Sequence, residues 1–256
     1  MLFLAPVWLM LSGALREPGM ALGSPWWPGA FSLDGFRQAF VLTPLAQGLF
    51  NSLMILLLAV PLTLVCASSA GLALALAPRR QQPLLIIALL LVTGIPFTAI
   101  WVPRFALFHA LGLSNSWLPV IAPALLGGAP LYVLRYFLAF RRIPESLFEA
   151  ARMEGLSWWS LWRRIALPLA KPTTVAVGVL AGAQFWNCFM DALIYLQQEQ
   201  DYPAPLLLHA LDLLGSTNWP VLMAGAAATT LPVVLAFVLA QKFFTAKERG
   251  ASWLGR

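Results

Sequence analysis

The chain has 256 residues, of which 60% are hydrophobic and 10% are charged, with a mean hydropathy of +0.80 and a formal net charge of +6. A soluble domain averages about 45–50% apolar and about 25% charged residues, so this composition excludes an ordinary cytosolic globular protein and intrinsic disorder. At about 20 apolar residues per helical crossing, a membrane protein of this length has room for five or six spans.

The first apolar run, Met1 to Leu15, would form a helix about 22 Å long, which is shorter than the roughly 30 Å hydrocarbon core. It lacks a basic n-region, so it is a poor match to a cleaved signal peptide. We interpret it as a first span that is tilted, thins the bilayer locally or is truncated at its start. Residues 16–44 are rich in Pro, Gly and Trp and are predicted to form an external loop, in which Trp26, Trp27 and Pro28 suit the membrane interface.

Five further apolar runs predict five more spans. The clearest of them begins at Asn51 and ends before Pro78. After the third span, residues 103–116 are predicted to be an interfacial turn that carries Arg104 and His109. The predicted spans are 51–77, 84–101, 117–140, 173–196 and 221–244. We therefore expect an all-α polytopic membrane protein with six transmembrane helices.

The basic residues predict the orientation of these spans. With both termini on one side, the segments 78–83, 141–172 and 242–256 hold twelve Lys and Arg residues, whereas the opposite side holds only Arg16, Arg37 and Arg104. Because cytoplasmic loops carry the excess of positive charge, the 141–172 loop and the C-terminus are predicted to be cytoplasmic. This distribution also argues against nucleic-acid binding, which the overall basicity could otherwise suggest.

The sequence contains no pattern typical of a metal site or a catalytic centre. Cys66 and Cys188 lie far apart in separate apolar runs, so they predict neither a metal motif nor a disulfide framework. His109 and His209 lie in external or interfacial segments and are interpreted as interface residues. We therefore predict that the protein is not an enzyme.

The 141–172 loop is predicted to contain two helices joined by a glycine. Pro144 suits the first turn of a helix and Glu145 favours its positive end, while Gly155 is placed to end it in the left-handed conformation. Ser157 is placed to cap a second helix, whose apolar stripe is Trp158, Leu161, Trp162 and Ile165. On periodicity alone, an amphipathic connector lying on the lipid surface explains the loop equally well.

The segment EAARMEGLSWWSLWRRIALP resembles the EAA loop of permease subunits of ATP-binding cassette importers. The residues that match the family pattern are Glu149, Ala150, Ala151, Gly155, Ile165, Leu167 and Pro168. Asn51-Ser52 and Trp186-Asn187 are similar to pairs in the carbohydrate branch, which includes the maltose and glycerol-phosphate importers. The chain departs from that branch at Glu154 and Cys188, where the branch usually has Asp.

This resemblance implies a type I importer permease with a cytoplasmic coupling helix. Residues 1–44 would form the first helix and external loop, residues 45–244 the importer transmembrane domain, and residues 245–256 a cytoplasmic tail. The implied partners are a second permease subunit, usually a different chain, two cytosolic ATPase subunits, an external solute-binding protein and the lipid bilayer. The chain has no P-loop motif, so ATP and Mg²⁺ are expected on the partner ATPase and no cofactor on this chain.

The fifth span offers a candidate substrate pathway. Gln184, Asn187 and Asp191 are spaced to share one helical face, with Trp186 beside them. Amide and carboxylate groups next to an aromatic ring suit a hydroxyl-rich solute. The alternative is that these polar residues hold helices together, as intramembrane Asn and Gln often do.

The sequence thus predicts a permease subunit that moves a solute across the cytoplasmic membrane by alternating access. A sugar or oligosaccharide is the preferred solute, a phosphorylated polyol the next, and a peptide or amino acid less favoured. The rival hypothesis is an ATP-independent channel or an ion-coupled carrier. Such a carrier usually needs ionisable groups near the midplane, and Asp191 is the only acid in any predicted span.

Overall fold

The computed structural model describes residues 5–19, 27, 31–214 and 218–251, and the regular structure within these ranges is entirely helical. A π-helical turn (Trp162–Ala166) and a 3-10 turn (Glu199–Asp201) accompany the α-helices. The α-helices are α1 (Ala5–Ala14), α2 (Asp34–Leu42), α3 (Leu45–Leu76), α4 (Gln82–Thr93), α5 (Phe97–Ala110), α6 (Leu118–Leu125), α7 (Pro130–Phe140), α8 (Glu145–Met153), α9 (Trp158–Leu161), α10 (Leu167–Leu169), α11 (Lys171–Trp186), α12 (Phe189–Tyr195), α13 (Ala204–Leu213) and α14 (Trp219–Ala251).

Two helical segments in the described part of the chain are long and apolar enough to cross a bilayer. They are Leu45–Leu76, which is α3, and Leu118–Phe140, which comprises α6 and α7. Two further crossings are possible if each of two sharply bent helix pairs counts as one span: α4 with α5, and the Trp158–Leu169 segment with α11. The chain is therefore a helical, multi-pass membrane protein, and the count of six spans stays a prediction.

The segment 16–44 is not simply the external loop that we expected, because α2 lies within it. The backbone N–H of Asp34 donates to Ser32 Oγ at 3.1 Å, and Asp34 itself lies in the first turn, where an acid is favoured. Gly35 and Ala39 are buried on the inner face of α2. Trp27 is exposed, as an interface residue would be, whereas Trp26 and Pro28 lie outside the described residues.

The predicted third span over 84–101 is not one continuous helix. The helix ends at Thr93 and resumes at Phe97, and the two halves are bent by 91°. Pro96 favours the break, because proline lacks the backbone N–H and disfavours the helical conformation of the residue before it. The predicted interfacial turn at 103–116 was also wrong in part, since α5 continues to Ala110.

The predicted fifth span over 173–196 is interrupted as well. Helix α11 ends at Trp186, Asn187 lies in a turn, and α12 begins at Phe189. Asn is a residue type that turns favour, because its side chain competes for backbone hydrogen bonds. The break removes the single helical face on which the pathway residues were expected.

The turn between α6 and α7 requires glycine. Gly127 has φ +83°, a conformation that L side chains rarely adopt, and a Cβ atom at this position would lie 3.2 Å from Ala67 Cα. The absence of a side chain therefore lets this turn approach the backbone of α3.

Contacts between residues divide the chain into two compact units. The first comprises Met1–Met54, Asn115–Trp117 and Trp186–Val238, and the second comprises Ile55–Ser114, Leu118–Phe185 and Leu239–Arg256. In the first unit, one buried cluster consists of Ala39, Leu45, Leu207, Leu211 and Val221. The second unit contains the whole of the 141–172 loop.

Candidate coupling and translocation sites

The first helix of the 141–172 loop has an inner and an outer face. Phe148 and Ala151 are buried, whereas Glu149 and Ala150 are exposed and Met153 is 88% exposed. Since positions 148 and 151 are three residues apart, they share one helical face, and the residues next to them point outward. Helix α8 thus packs against the protein on one side and presents a carboxylate, a small side chain and a thioether on the other.

The predicted end of α8 is confirmed, whereas its start lies one residue after Pro144, which was expected in the first turn. Pro144 is extended and α8 begins at the next residue, while Gly155 follows its end with φ +77°. The N–H of Gly155 donates to Arg152 O at 2.9 Å, and the N–H of Leu156 donates to Ala151 O at 3.1 Å. This pair of bonds is a Schellman motif, which satisfies the last carbonyls of the helix and needs glycine at this position.

The second helix also begins where we predicted. Ser157 Oγ accepts a hydrogen bond from the backbone N–H of Ser160 at 3.4 Å, which caps α9. Helix α9, the π-helical turn and α10 form one continuous segment from Trp158 to Leu169. This segment meets α11 at an angle of 87°, so the loop turns sharply before the fifth span begins.

The apolar stripe of this second helix differs from the prediction. Leu161 and Trp162 are buried, but Ile165 is only half-buried and Trp158 is 45% exposed. Ala166 is fully buried instead. Ala166 lies four residues after Trp162, so the buried face runs through Leu161, Trp162 and Ala166 rather than through Trp158 and Ile165.

Four of the seven residues that match the EAA pattern are exposed. These are Glu149, Ala150, Gly155 and Pro168, while Ala151 is buried and Ile165 and Leu167 are half-buried. Beside them, Met153, Trp158 and Trp159 expose large apolar side chains. An apolar patch rimmed by polar residues is typical of a protein interaction surface. The sequence reasoning did not single out Met153, although a methionine within a charged helix was a usable signal.

The first pathway candidate, Gln184, lies on α11 and is half-buried. Its Oε1 accepts a hydrogen bond from the Tyr132 hydroxyl of α7 at 2.9 Å. This contact joins two membrane helices of the second unit through a polar pair. Gln184 therefore makes the helix–helix bond of our alternative hypothesis, and its amide nitrogen remains a candidate for binding a solute.

The other three pathway candidates lie at and beyond the break in the fifth span. The indole N–H of Trp186 donates to Thr229 O at 3.2 Å and its ring is buried, so Trp186 packs against α14. Asn187 is exposed at the break, and Asp191 is half-buried in the first turn of α12. The structure therefore does not carry these residues on one continuous helix with Gln184.

Asn51 and Ser52 have a defined role that the sequence analysis noted only as a family resemblance. Asn51 Nδ2 donates to Gln200 O at 2.7 Å and to Tyr202 O at 3.0 Å, and Asn51 is 1% exposed. Ser52 Oγ accepts the N–H of Ala204 at 2.9 Å. The start of α3 thus holds the segment between α12 and α13 by its backbone. A polar pair at the start of a long apolar helix was the signal.

Potential metal ligands do not converge in the described part of the chain. No group of three or more His, Cys, Asp or Glu side chains is arranged there to hold a metal ion. His209 packs edge-to-face on Phe189 at 5.2 Å between ring centroids, and Cys66 and Cys188 are free thiols.

Comparisons with known proteins identify relatives along almost the whole chain. The family described as binding-protein-dependent transport system inner membrane component matches residues 35–249. The arabinooligosaccharides transport system permease protein AraQ of Halalkalibacterium halodurans is 30% identical over 220 residues, which are 86% of this chain and 78% of AraQ. The sulfoquinovosyl glycerol transport system permease protein SmoH of Agrobacterium fabrum is 28% identical and covers 92% of this chain and 83% of SmoH.

Two solved structures have a similar fold. A chain of a bacterial ABC transporter involved in the import of the acidic polysaccharide alginate has a TM-score of 0.78 at 20% identity and covers 95% of this chain and 91% of its own. A chain of the inward-facing methionine ABC transporter MetNI has a TM-score of 0.60 at 18% identity and covers 79% of this chain and 95% of its own. The helical arrangement is therefore that of an importer transmembrane subunit.

Proposed function

Because the chain belongs to the family of binding-protein-dependent transport system inner membrane components, it is a permease subunit of an ATP-driven importer, and we propose that its solute is a sugar or oligosaccharide. The relatives support this solute class. Besides AraQ and SmoH, they include the lactose permease LacG of Rhizobium radiobacter and the trehalose permease SugB of Mycobacterium tuberculosis. A phosphorylated polyol is the second candidate.

We further propose that the chain has six spans and that the 141–172 loop faces the cytoplasm and contacts an ATPase subunit. The observation that carries this proposal is the outer face of the loop. There Glu149, Ala150 and Gly155 are exposed beside the apolar side chains of Met153 and Trp159. Small residues permit close approach of a partner, and the carboxylate offers a partner for a cation. The excess of positive charge in the same segments supports the cytoplasmic orientation.

The proposed complex contains a second permease subunit, two ATPase subunits that bind ATP and Mg²⁺, and an external solute-binding protein. One similar structure is a bacterial alginate ABC transporter in complex with a pentasaccharide-bound periplasmic protein, with a TM-score of 0.54 at 16% identity. In the proposed mechanism, closure of the ATPase subunits moves the loop and re-aims the spans. The substrate path then opens first to the outside and afterwards to the cytoplasm.

The proposal is tested by affinity purification of the chain from its native membrane in mild detergent, followed by mass spectrometry. We expect recovery of a P-loop ATPase and a second multi-span permease. Uptake of radiolabelled arabinotriose, lactose, trehalose and glycerol 3-phosphate by the complex in proteoliposomes then identifies the solute class. Recovery of the chain alone, or as a homo-oligomer without an ATPase, would favour the channel or carrier hypothesis.

Replacing Gln184 with leucine tests whether this residue belongs to the substrate path. We expect roughly a tenfold loss of sugar uptake, because a lost solute hydrogen bond of about 1–1.5 kcal/mol changes an equilibrium about tenfold. Tyr132→Phe is the matched control, since it removes the same interhelical bond and leaves the Gln184 amide in place. If both variants reduce uptake equally, Gln184 serves only to join the two helices.

A further inference from the structure

We propose that the buried hydrogen bond between Trp162 and Ser68 is the joint through which movement of the 141–172 loop reaches α3. The proposal rests on the proposed contact between this loop and an ATPase. It assigns to Trp162 and Ser68 the role of positioning residues for transport: neither is proposed to touch the solute or the nucleotide.

The contact itself is short, buried and fully satisfied. Trp162 Nε1 donates to Ser68 Oγ at 3.0 Å, and the two residues are 5% and 0% exposed. The Ser68 hydroxyl in turn donates to Leu64 O, one turn earlier on α3. Ser68 thus acts as acceptor and donor at once, so the loop is tied to the backbone of α3 through one hydroxyl group. If this hydrogen bond breaks and no water replaces Ser68, the buried indole N–H has no acceptor, which raises the free energy.

The π-helical turn orients Trp162 for this contact. The turn begins at Trp162 itself, and the N–H of Leu167 donates to Trp162 O, five residues back. With the turn in place, Leu161, Trp162 and Ala166 are buried together. Single π-helical turns inside α-helices are frequent at functional sites.

A second aromatic ring connects the joint to the outer surface of the loop. Trp159 stacks on Trp162 with 4.5 Å between ring centroids, and Trp159 is itself exposed. It lies on the part of the loop where we propose that the ATPase binds. A displacement of Trp159 is therefore transmitted by van der Waals contact to Trp162, and from Trp162 through its hydrogen bond to Ser68.

Another polar contact joins the loop to the segment that follows α3, and this contact is much weaker. Arg79 and Glu145 form an ion pair at 3.5 Å, but their side chains are 91% and 72% exposed. Such exposed pairs contribute little to stability and are screened by salt. The Trp162–Ser68 bond is the better candidate for a rigid link. Ser68 also lies next to Ala67, where the turn at Gly127 comes close to the backbone of α3.

The joint predicts that α8 and α3 move as one body when the complex binds ATP. The test uses the complex purified through this chain, in a Cys66→Ala, Cys188→Ala background with spin labels at the exposed positions 152 and 70. Pulsed electron resonance compares the label distance without nucleotide and after trapping with Mg-ATP and vanadate. In the otherwise unmodified chain we expect the same distance in both states.

In Trp162→Phe and in Ser68→Ala we expect the distance to change on trapping by about 2 Å or more, the size of helix shifts in switching transitions. The double variant should show no larger change than either single variant, because both remove one bond. Ser68→Thr retains the hydroxyl and should behave as the unmodified chain does. Trp219→Phe is the matched control, as the same substitution at an exposed tryptophan outside the 141–172 loop should have no effect.

The proposal would be overturned if the label distance in Trp162→Phe did not change on trapping. It would also be overturned if the distance in the otherwise unmodified chain did change on trapping. If Trp162→Phe does not assemble, Ser68→Ala answers the same question by deleting one oxygen atom. A structural role alone would alter the distance equally with and without nucleotide. Failure of the proposed function is distinguishable from all of these outcomes, because no ATPase would then purify with the chain.

Discussion

Replacing Gly155 with arginine is expected to abolish sugar uptake while the protein stays in the membrane. Gly155 has φ +77°, and a residue with a Cβ atom pays about 1–2 kcal/mol in this conformation. The variant either unwinds the end of α8 or keeps the strained turn with a large cation on its exposed side. Both outcomes disturb the face that we propose for ATPase binding. ATP hydrolysis and uptake of the sugar carried by the wild-type complex are measured together, and we expect uptake per ATP to fall at least tenfold.

Gly112→Arg is the matched control for this experiment. Gly112 also has a positive φ, +67°, and a Cβ atom there would likewise meet nothing within 4 Å. The local backbone strain is therefore the same, but Gly112 lies in the turn after α5, outside the 141–172 loop. We expect this control to retain most of its uptake. Wild-type uptake in a correctly assembled Gly155→Arg complex would contradict the coupling role of the loop.

Replacing Asn51 with alanine is expected to give the largest loss of stability of any substitution considered in the first unit. The Asn51 side chain is almost completely buried and donates two hydrogen bonds, to the carbonyl groups of Gln200 and Tyr202. The change to alanine removes both bonds. Each of the two hydrogen bonds contributes about 0.5–1.5 kcal/mol, so we expect a loss of about 1–3 kcal/mol. In detergent this corresponds to a decrease of roughly 5–10 °C in the unfolding midpoint.

Gln47→Ala provides the comparison for Asn51→Ala. Gln47 is exposed and donates one hydrogen bond, at 3.0 Å, to the Asn51 side-chain oxygen. Its removal leaves the two bonds from Asn51 Nδ2 in place, and solvent remains accessible to the exposed position. We expect a decrease of about 1 kcal/mol or less. Equal unfolding midpoints for the two variants would show that the backbone contacts of Asn51 do not stabilise the protein.

The sequence by itself determined the features that depend on composition and on neighbouring residues. The apolar runs established a multi-pass helical membrane protein, and α3 lies within a few residues of the predicted second span. In the 141–172 loop, Pro144, Gly155 and Ser157 lie where the structure starts, ends and caps the helices. These are local effects of backbone geometry and short-range hydrogen bonds, so the residue types alone carry the information.

Only the tertiary structure decided how the spans are interrupted and which polar groups meet. An apolar run has the same hydropathy whether its helix is straight or broken. Hydropathy therefore did not reveal the bend between α4 and α5 or the break after Trp186. In the second loop helix the structure buries Ala166 and leaves Trp158 exposed, although both positions fit an apolar face by spacing. The partners of Asn51 and Ser68 outside α3 lie 94 or more residues away along the chain. Such contacts depend on how helices pack in space, because a buried polar group is stabilised by whichever partner the fold brings within reach.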